Sequence, residues 1–136
     1  MSLAAGNIQL SRILNGWLMP RLGRALDMIG QATTAKIKDE LRNPCPVFFG
    51  QGGEHSPPGE PPFKETGALQ EGIRYYVSPD HSVTIMSTRQ HGADTARVPE
   101  YLEYGTPRMA ARPFMRPAKN RGFRIVPQIL RLELGR

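Results

Sequence analysis

Apolar residues recur at helical spacing early in the chain: Leu10, Ile13, Leu14, Trp17 and Leu18, then Leu22, Leu26, Ile29, Ile37 and Leu41, with Thr33 filling a gap. The spacing predicts an amphipathic helix over roughly residues 8–42. Its stripe faces either the chain's own core or the same helix of a neighbouring subunit. Pro20 interrupts it by removing one backbone donor and crowding the preceding turn, so the helix either kinks there or gives way to a second helix that starts there. Asn43-Pro44 ends it, because a residue before proline avoids the helical region.

Residues 43–66 follow with six prolines and four glycines, a composition that excludes a helix or a central strand. Phe48, Phe49 and Phe63 separate this loop from a plain linker. It reads either as a flexible excursion with a few anchoring contacts or as an arm that orders on an adjacent subunit. Thr66 to Ile73 reads as a short helical turn capped by Thr66, with Leu69 and Ile73 on one side. Arg74–Ser78 and Ser82–Thr88 are rich in β-branched and aromatic residues and are joined by Pro79-Asp80-His81, which predicts a β-hairpin. A polar crossover, Gln90 to Thr95, leads to a short helix over Ala96–Tyr104 with Val98, Tyr101 and Leu102 on one side. Pro99 lies in its first turn and Gly105 is its stop. Residues 107–117 are proline-limited and extended, a candidate strand. Phe123, Val126, Ile129, Leu130 and Leu134 then predict a final helix from Pro117 to Leu134, weakened by Gly122 and Pro127. No internal repeat is visible.

The sum is one α+β domain over residues 1–136: a long N-terminal helix packed on a small antiparallel sheet, a short helix, a C-terminal helix and one long Pro/Gly-rich loop. Residues 43–66 are its flexible loop or arm, and 119–136 its basic C-terminal helix or tail. A chain of 136 residues suits one domain with a modest core.

Charge changes the picture through its placement. Residues 1–96 hold nine Lys/Arg and nine Asp/Glu, whereas residues 97–136 hold nine and three, so the net +6 lies in the last forty residues. Such a tail meets nucleic acid, an acidic protein surface or water. Cys45 is the one cysteine, which excludes an intrachain disulfide framework and suits a reducing compartment. No apolar run is long enough for a membrane span, and a signal peptide is not expected.

A catalytic set is hard to assemble from these residues. His55, His81 and His91 fall in loop, turn and crossover, without the i, i+4 spacing of a helical zinc pair. No Gly-x-Ser-x-Gly elbow occurs, and Gly50-Gln-Gly-Gly53 lacks the Lys-Ser/Thr that follows in a phosphate loop. Glu100 and Glu103 stand three apart on a predicted helix and could point together. Their acidic position early in that helix is explained by its dipole, and Arg108, Arg112 and Arg116 could meet them across a subunit contact. Arg112, Phe114, Arg116, Lys119, Arg121, Phe123 and Arg124 interleave cations with aromatics as a nucleic-acid module would. Phe114 and Phe123 fit equally as core or interface anchors. The expectation is of a non-enzymatic protein without metal or cofactor.

Tyr101-Leu-Glu-Tyr-Gly-Thr106 followed by Met109-Ala-Ala-Arg-Pro-Phe-Met-Arg-Pro-Ala118 resembles the Tyr-x-Glu-Phe-Gly-Thr … Pro-Ala-x-Pro-Phe-Leu-Arg-Pro-Ala signature of small tailed-phage and prophage neck or tail-completion proteins, also called tail components or minor tail proteins. Pro58-Gly-Glu-Pro-Pro-Phe-Lys-Glu-Thr-Gly-Ala-Leu69 resembles the upstream Pro-Gly-x-Pro-Pro … Thr-Gly-x-Leu stretch of the same proteins. Tyr104 stands where Phe is usual, and Pro107 where a polar residue is commoner. The resemblance implies a structural virion protein at the head–tail junction, a homo-oligomeric ring of hexamer-type symmetry. Its neighbours would be head-completion and tail proteins, and it would assemble in the bacterial cytoplasm before residing in the neck or tail.

On this reading the loop residues Phe48, Phe49 and Phe63 and the motif residues Tyr101, Glu103, Tyr104, Arg108, Arg112, Phe114, Met115 and Arg116 carry subunit or partner contacts. Lys119, Arg121 and Arg124 are candidates for an acidic partner or for non-specific contact with passing DNA. The rival reading is a small basic nucleic-acid-binding protein.

Overall fold

The computed structural model describes residues 10–43, 56–64, 67–88 and 97–135. The chain is helical from residue 10 to residue 40 without a break. Leu14–Leu18 form a π-helical turn, and Met19–Glu40 continue as α1. Pro20 explains the turn. Its ring would collide with the carbonyl four residues back and it offers no N–H, so the preceding turn widens and Met19 N–H reaches back to the carbonyl of Leu14. The chain thus neither breaks at Pro20 nor starts a separate helix there. Arg42 N–H to Asp39 O, at 3.1 Å, closes the far end.

A four-residue helix α2, Ala68–Glu71, precedes the antiparallel pair β1, Ile73–Val77, and β2, Val83–Ser87. Gly67 holds the position before α2 with φ +82°, where a side chain would be strained. The expected cap, Thr66, lies outside the described residues, and Ile73 opens β1 instead of ending the helix. Tyr75 pairs with Ile85 at the centre of the hairpin. Asp80 shapes its turn, accepting from Ser82 N–H at 3.2 Å and from the Ser82 hydroxyl at 2.7 Å. Those bonds, the hydroxyl first, hold the Asp80 carboxyl below its ordinary value.

Helix α3, Val98–Tyr104, has Pro99 in its first turn and Gly105, φ +77°, after its last. Thr106 and Met109 then bridge across a tight turn, and residues 110–113 run extended. No strand forms over 107–117, and helix begins earlier than expected, with α4 spanning Met115–Gly122. The predicted last helix is two helices: α4, then a turn at 123–125, then α5, Val126–Leu134, with Pro127 in its first turn. Gly122 lies so close to α1 that a methyl group there would come within 2.9 Å of the Thr33 side chain. The long-range fit of Gly122 and the turn preference of Pro127 divide the segment.

Helix α1 is the spine, with the hairpin on one flank and α4 and α5 on another. Ile37 of α1, Leu41 just after its end, Ile73 of β1, and Phe114 and Ala118 of the motif form the buried core, and Leu69, Ile85, Leu102 and Met115 pack around it. The far end of the apolar stripe, Ile37 and Leu41, is therefore spent on this chain's own core. The long loop leaves and returns at one point, because Lys64 N–H bonds the carbonyl of Asn43 at 2.7 Å. No described helix is long and apolar enough to cross a membrane.

Candidate functional site

The motif segment 101–118 folds back on itself around one carboxylate. Glu103 is 9% exposed. Its Oε2 accepts the N–H of Phe114 at 2.9 Å and of Met115 at 3.0 Å, and its Oε1 accepts the N–H of Arg116 at 2.9 Å. Three donors at the start of α4 thereby gain a charged acceptor, which no side chain at the cap position itself supplies. Arg112 N–H adds a bond to Leu102 O at 2.7 Å, so α3 and the start of α4 are tied on both sides of the Gly105 turn.

This unit also holds the loop. Gly59 N–H donates to Ala111 O at 2.9 Å, and Arg112 Nε donates to Ser56 O at 2.7 Å. The Pro-Gly stretch and the Arg-Pro-Phe stretch, far apart in sequence, are thus adjacent. Phe63 is half-buried there, whereas Phe48 and Phe49 lie outside the described residues.

Two residues expected at a subunit contact are internal. Phe114 is fully buried in the core, and Glu103 is used by backbone donors. Glu100 and Glu103 do not pair: Glu103 turns inward and Glu100 stays exposed. Met115 is partly buried against the core, and the Arg112 guanidinium is engaged with Ser56. Tyr101, Tyr104, Arg108 and Arg116 remain on the surface.

Beside this unit lies an open cleft of ≈ 770 Å³ that sequence reasoning missed. Its floor is apolar: Leu26 and Ile29 of α1, Val83 and Ile85 of β2, Met115 of α4 and Val126 of α5. Its rim carries two exposed aromatic rings, Tyr104 at 68% and Phe123 at 61%. Arg116 sits over the Tyr104 ring and Lys119 over the Phe123 ring, each 5.6 Å from the centroid. Five elements, α1, β2, α3, α4 and α5, build this cleft from separate parts of the chain, so no local pattern announces it.

The basic end is partly neutralised within the fold. Arg121 is ion-paired with Glu40 of α1, while Glu133, an acid of this end, is taken up by Arg24 of α1 at 3.2 Å. Lys119 shares its charge with a ring, and Arg124 is exposed. Among the described residues no group of three His, Cys, Asp or Glu could hold a metal ion. Cys45, His55 and His91 lie outside them, and His81 is exposed in the hairpin turn. Tyr75 is a raised acid: its hydroxyl donates to Asp27 Oδ1 at 2.8 Å. That bond, then burial and the Asp27 charge, lift its pKa above the ordinary phenol value. This pair ties β1 to α1.

Comparison with known proteins finds no match to this chain, whether among family models, curated proteins or solved structures.

Proposed function

We propose that this chain is a structural virion protein of a tailed phage or prophage, a ring-forming component of the head–tail neck or tail end that works by protein–protein assembly. Copies of itself and the adjoining head-completion and tail proteins are its partners. It assembles in the bacterial cytoplasm and then resides in the particle.

One observation carries this reading: the segment bearing the motif resemblance is a braced unit that fixes its exposed side chains. Glu103, Arg112 and the Gly59–Ala111 bond hold residues 101–118 to the body, and Tyr104 and Arg116 project beside an apolar cleft. A surface already ordered loses less entropy on docking. Cations stacked on exposed rings suit a protein contact, where aromatic and arginine side chains are enriched.

Deletion of the gene from a particle-producing lysogen tests the proposal. Separate heads and tails, rejoined when the gene is supplied in trans, are the expected outcome. Infective particles of normal yield without it would overturn the reading. Tight duplex-DNA binding by a monomer, falling steeply with salt, would favour the nucleic-acid alternative.

A further inference from the structure

Strand β1 has one edge paired and one edge open. Thr88 N–H donates to Gly72 O and Ser78 N–H to Ser82 O, so in the register of the hairpin Arg74 and Tyr76 exchange bonds with β2. Ile73, Tyr75 and Val77 therefore turn their N–H and C=O groups away from β2, and no described residue bonds them. Along this edge runs an open groove of ≈ 480 Å³, walled by β1 and by Asp27, Thr34 and Lys38 of α1. Thr34 is 8% exposed, and its hydroxyl has no hydrogen-bond partner among the described residues. A row of unpaired backbone groups is a template for a further strand. β1 carries neither proline nor bulge to blunt it.

The chemistry of the edge selects its occupant. We propose that β1 of a second copy of this chain pairs with it, antiparallel across a twofold axis at Tyr75, giving a four-stranded sheet in the order β2-β1-β1-β2. Ile73 then meets Val77 of the second copy, Tyr75 meets its own counterpart and Val77 meets Ile73, which makes three hydrogen-bonded pairs of two bonds each. On the outer face, Arg74 falls beside the exposed ring of Tyr76 of the second copy, in the closely spaced kind of pair, and the axis repeats that contact. A shift of one residue would set the open groups against groups already bonded to β2. A shift of two drops one open residue from the pairing and, in one direction, opposes Arg74 to itself.

Charge along the groove obeys the same axis. The two α1 helices run antiparallel on one face of the sheet, so Asp27 of each copy faces Lys38 of the other. Lys38 has no carboxylate partner among the described residues. The other edge of the hairpin offers no such match. The open residues of β2, Val83, Ile85 and Ser87, line the apolar cleft, so pairing β1 with β2 of a neighbour would set a charged groove against an apolar wall. A contact of the groove with itself joins polar to polar and closes at two copies. Main-chain bonds supply the affinity in this mode, so an edge of five residues suits a weak dimer. The pairing goes beyond the virion reading and does not rest on it.

Light scattering from micromolar to millimolar concentration should show a monomer passing to a dimer and no further. Val77→Pro removes one open donor from each copy, leaves every β1–β2 bond in place, and should raise the dissociation constant about thirtyfold or more. Val83→Pro makes the same change on the open edge of β2 and should leave the dimer as it was. Lys38→Glu and Asp27→Lys should each weaken the dimer. An equal mixture of the two should restore it, because opposite charges then meet at both ends of the groove. In a Cys45→Ser background, mixed Arg74→Cys and Tyr76→Cys chains should crosslink on oxidation faster than either alone, which reads the register. If Val77→Pro does not fold, the charge exchange and the crosslink decide. A wild-type chain monomeric throughout, growth beyond two copies, a dimer untouched by Val77→Pro or lost with a folded Val83→Pro, or a charge mixture that fails to pair would overturn the contact.

Discussion

Glu103 and Phe114 lie eleven positions apart, yet the carboxylate of the first accepts the backbone N–H of the second at 2.9 Å. The same group serves Met115 and Arg116, so its loss strands three donors at the start of α4. Glu103→Ala is expected to cost about 3 kcal/mol, because bonds to a charged acceptor contribute more than neutral ones and stranded donors cost their desolvation. Glu103→Gln keeps one acceptor but turns an N–H₂ toward a donor, and should cost about 2 kcal/mol. Chemical denaturation of the two variants checks the order, and equal stability to wild type would discard the cap.

Gly30 of α1 is buried directly beneath the ring of Tyr75. A methyl group there would overlap the ring, so Gly30→Ala should destabilise by about 1–3 kcal/mol despite alanine's better helix propensity. Gly23, with open space around it, is the control. Gly23→Ala should stabilise by up to about 1 kcal/mol. Thermal melts of the pair give the sign of each change.

Arg121 pairs with Glu40, whose side chain is largely buried and whose Oε2 has no hydrogen-bond partner among the described residues. Removing the arginine leaves that carboxylate uncompensated, so Arg121→Ala should cost about 1–2 kcal/mol. Adding Glu40→Leu should recover most of the loss, because an apolar side chain asks for no partner there. A double-mutant cycle reads the coupling. The exposed Arg42–Asp39 pair, at 3.6 Å, should show almost none.

The Tyr75 hydroxyl donates to Asp27, and its pKa is raised. Folding therefore favours the protonated phenol. The stabilisation from this pair is full below the unfolded phenol value of about 10 and is lost as pH rises through the higher folded value. Phenolate absorbance, taken as the difference from Tyr75→Phe, should show late ionisation of Tyr75. Asp27→Asn should bring it earlier, and an unmoved titration would contradict the bond's role.

The sequence revealed what periodicity and turn chemistry encode. The stripe through Leu22, Leu26, Ile29 and Ile37 marks a helix whose Ile37 enters the core while Leu26 and Ile29 floor the cleft, and Pro79-Asp80-His81 sets a hairpin whose strands fall within one residue of expectation. What stayed hidden depends on fit at a distance. Pro20 looks like a break, but a widened turn accommodates its ring. Gly122 looks like a weak helical position, and its reason is Thr33, almost ninety residues earlier. Phe114 between prolines suits a core or an interface equally, and only the packing of Ile37 and Ile73 against it decides. Glu103 reads as an acid early in its own helix, whereas its carboxylate serves the next one. The cleft gathers α1, β2, α3, α4 and α5, so no single segment carries its signature.

The carboxylate clasp also has a consequence in time. Its partners are eleven to thirteen positions away, so it closes a short loop at little entropic cost, while the docking of α1 on α5 must bring together chain ends more than a hundred positions apart. The motif unit is then the early nucleus and the spine condenses onto it. Glu103→Gln should slow refolding, whereas Arg24→Ala, at the α1–α5 junction, should chiefly hasten unfolding.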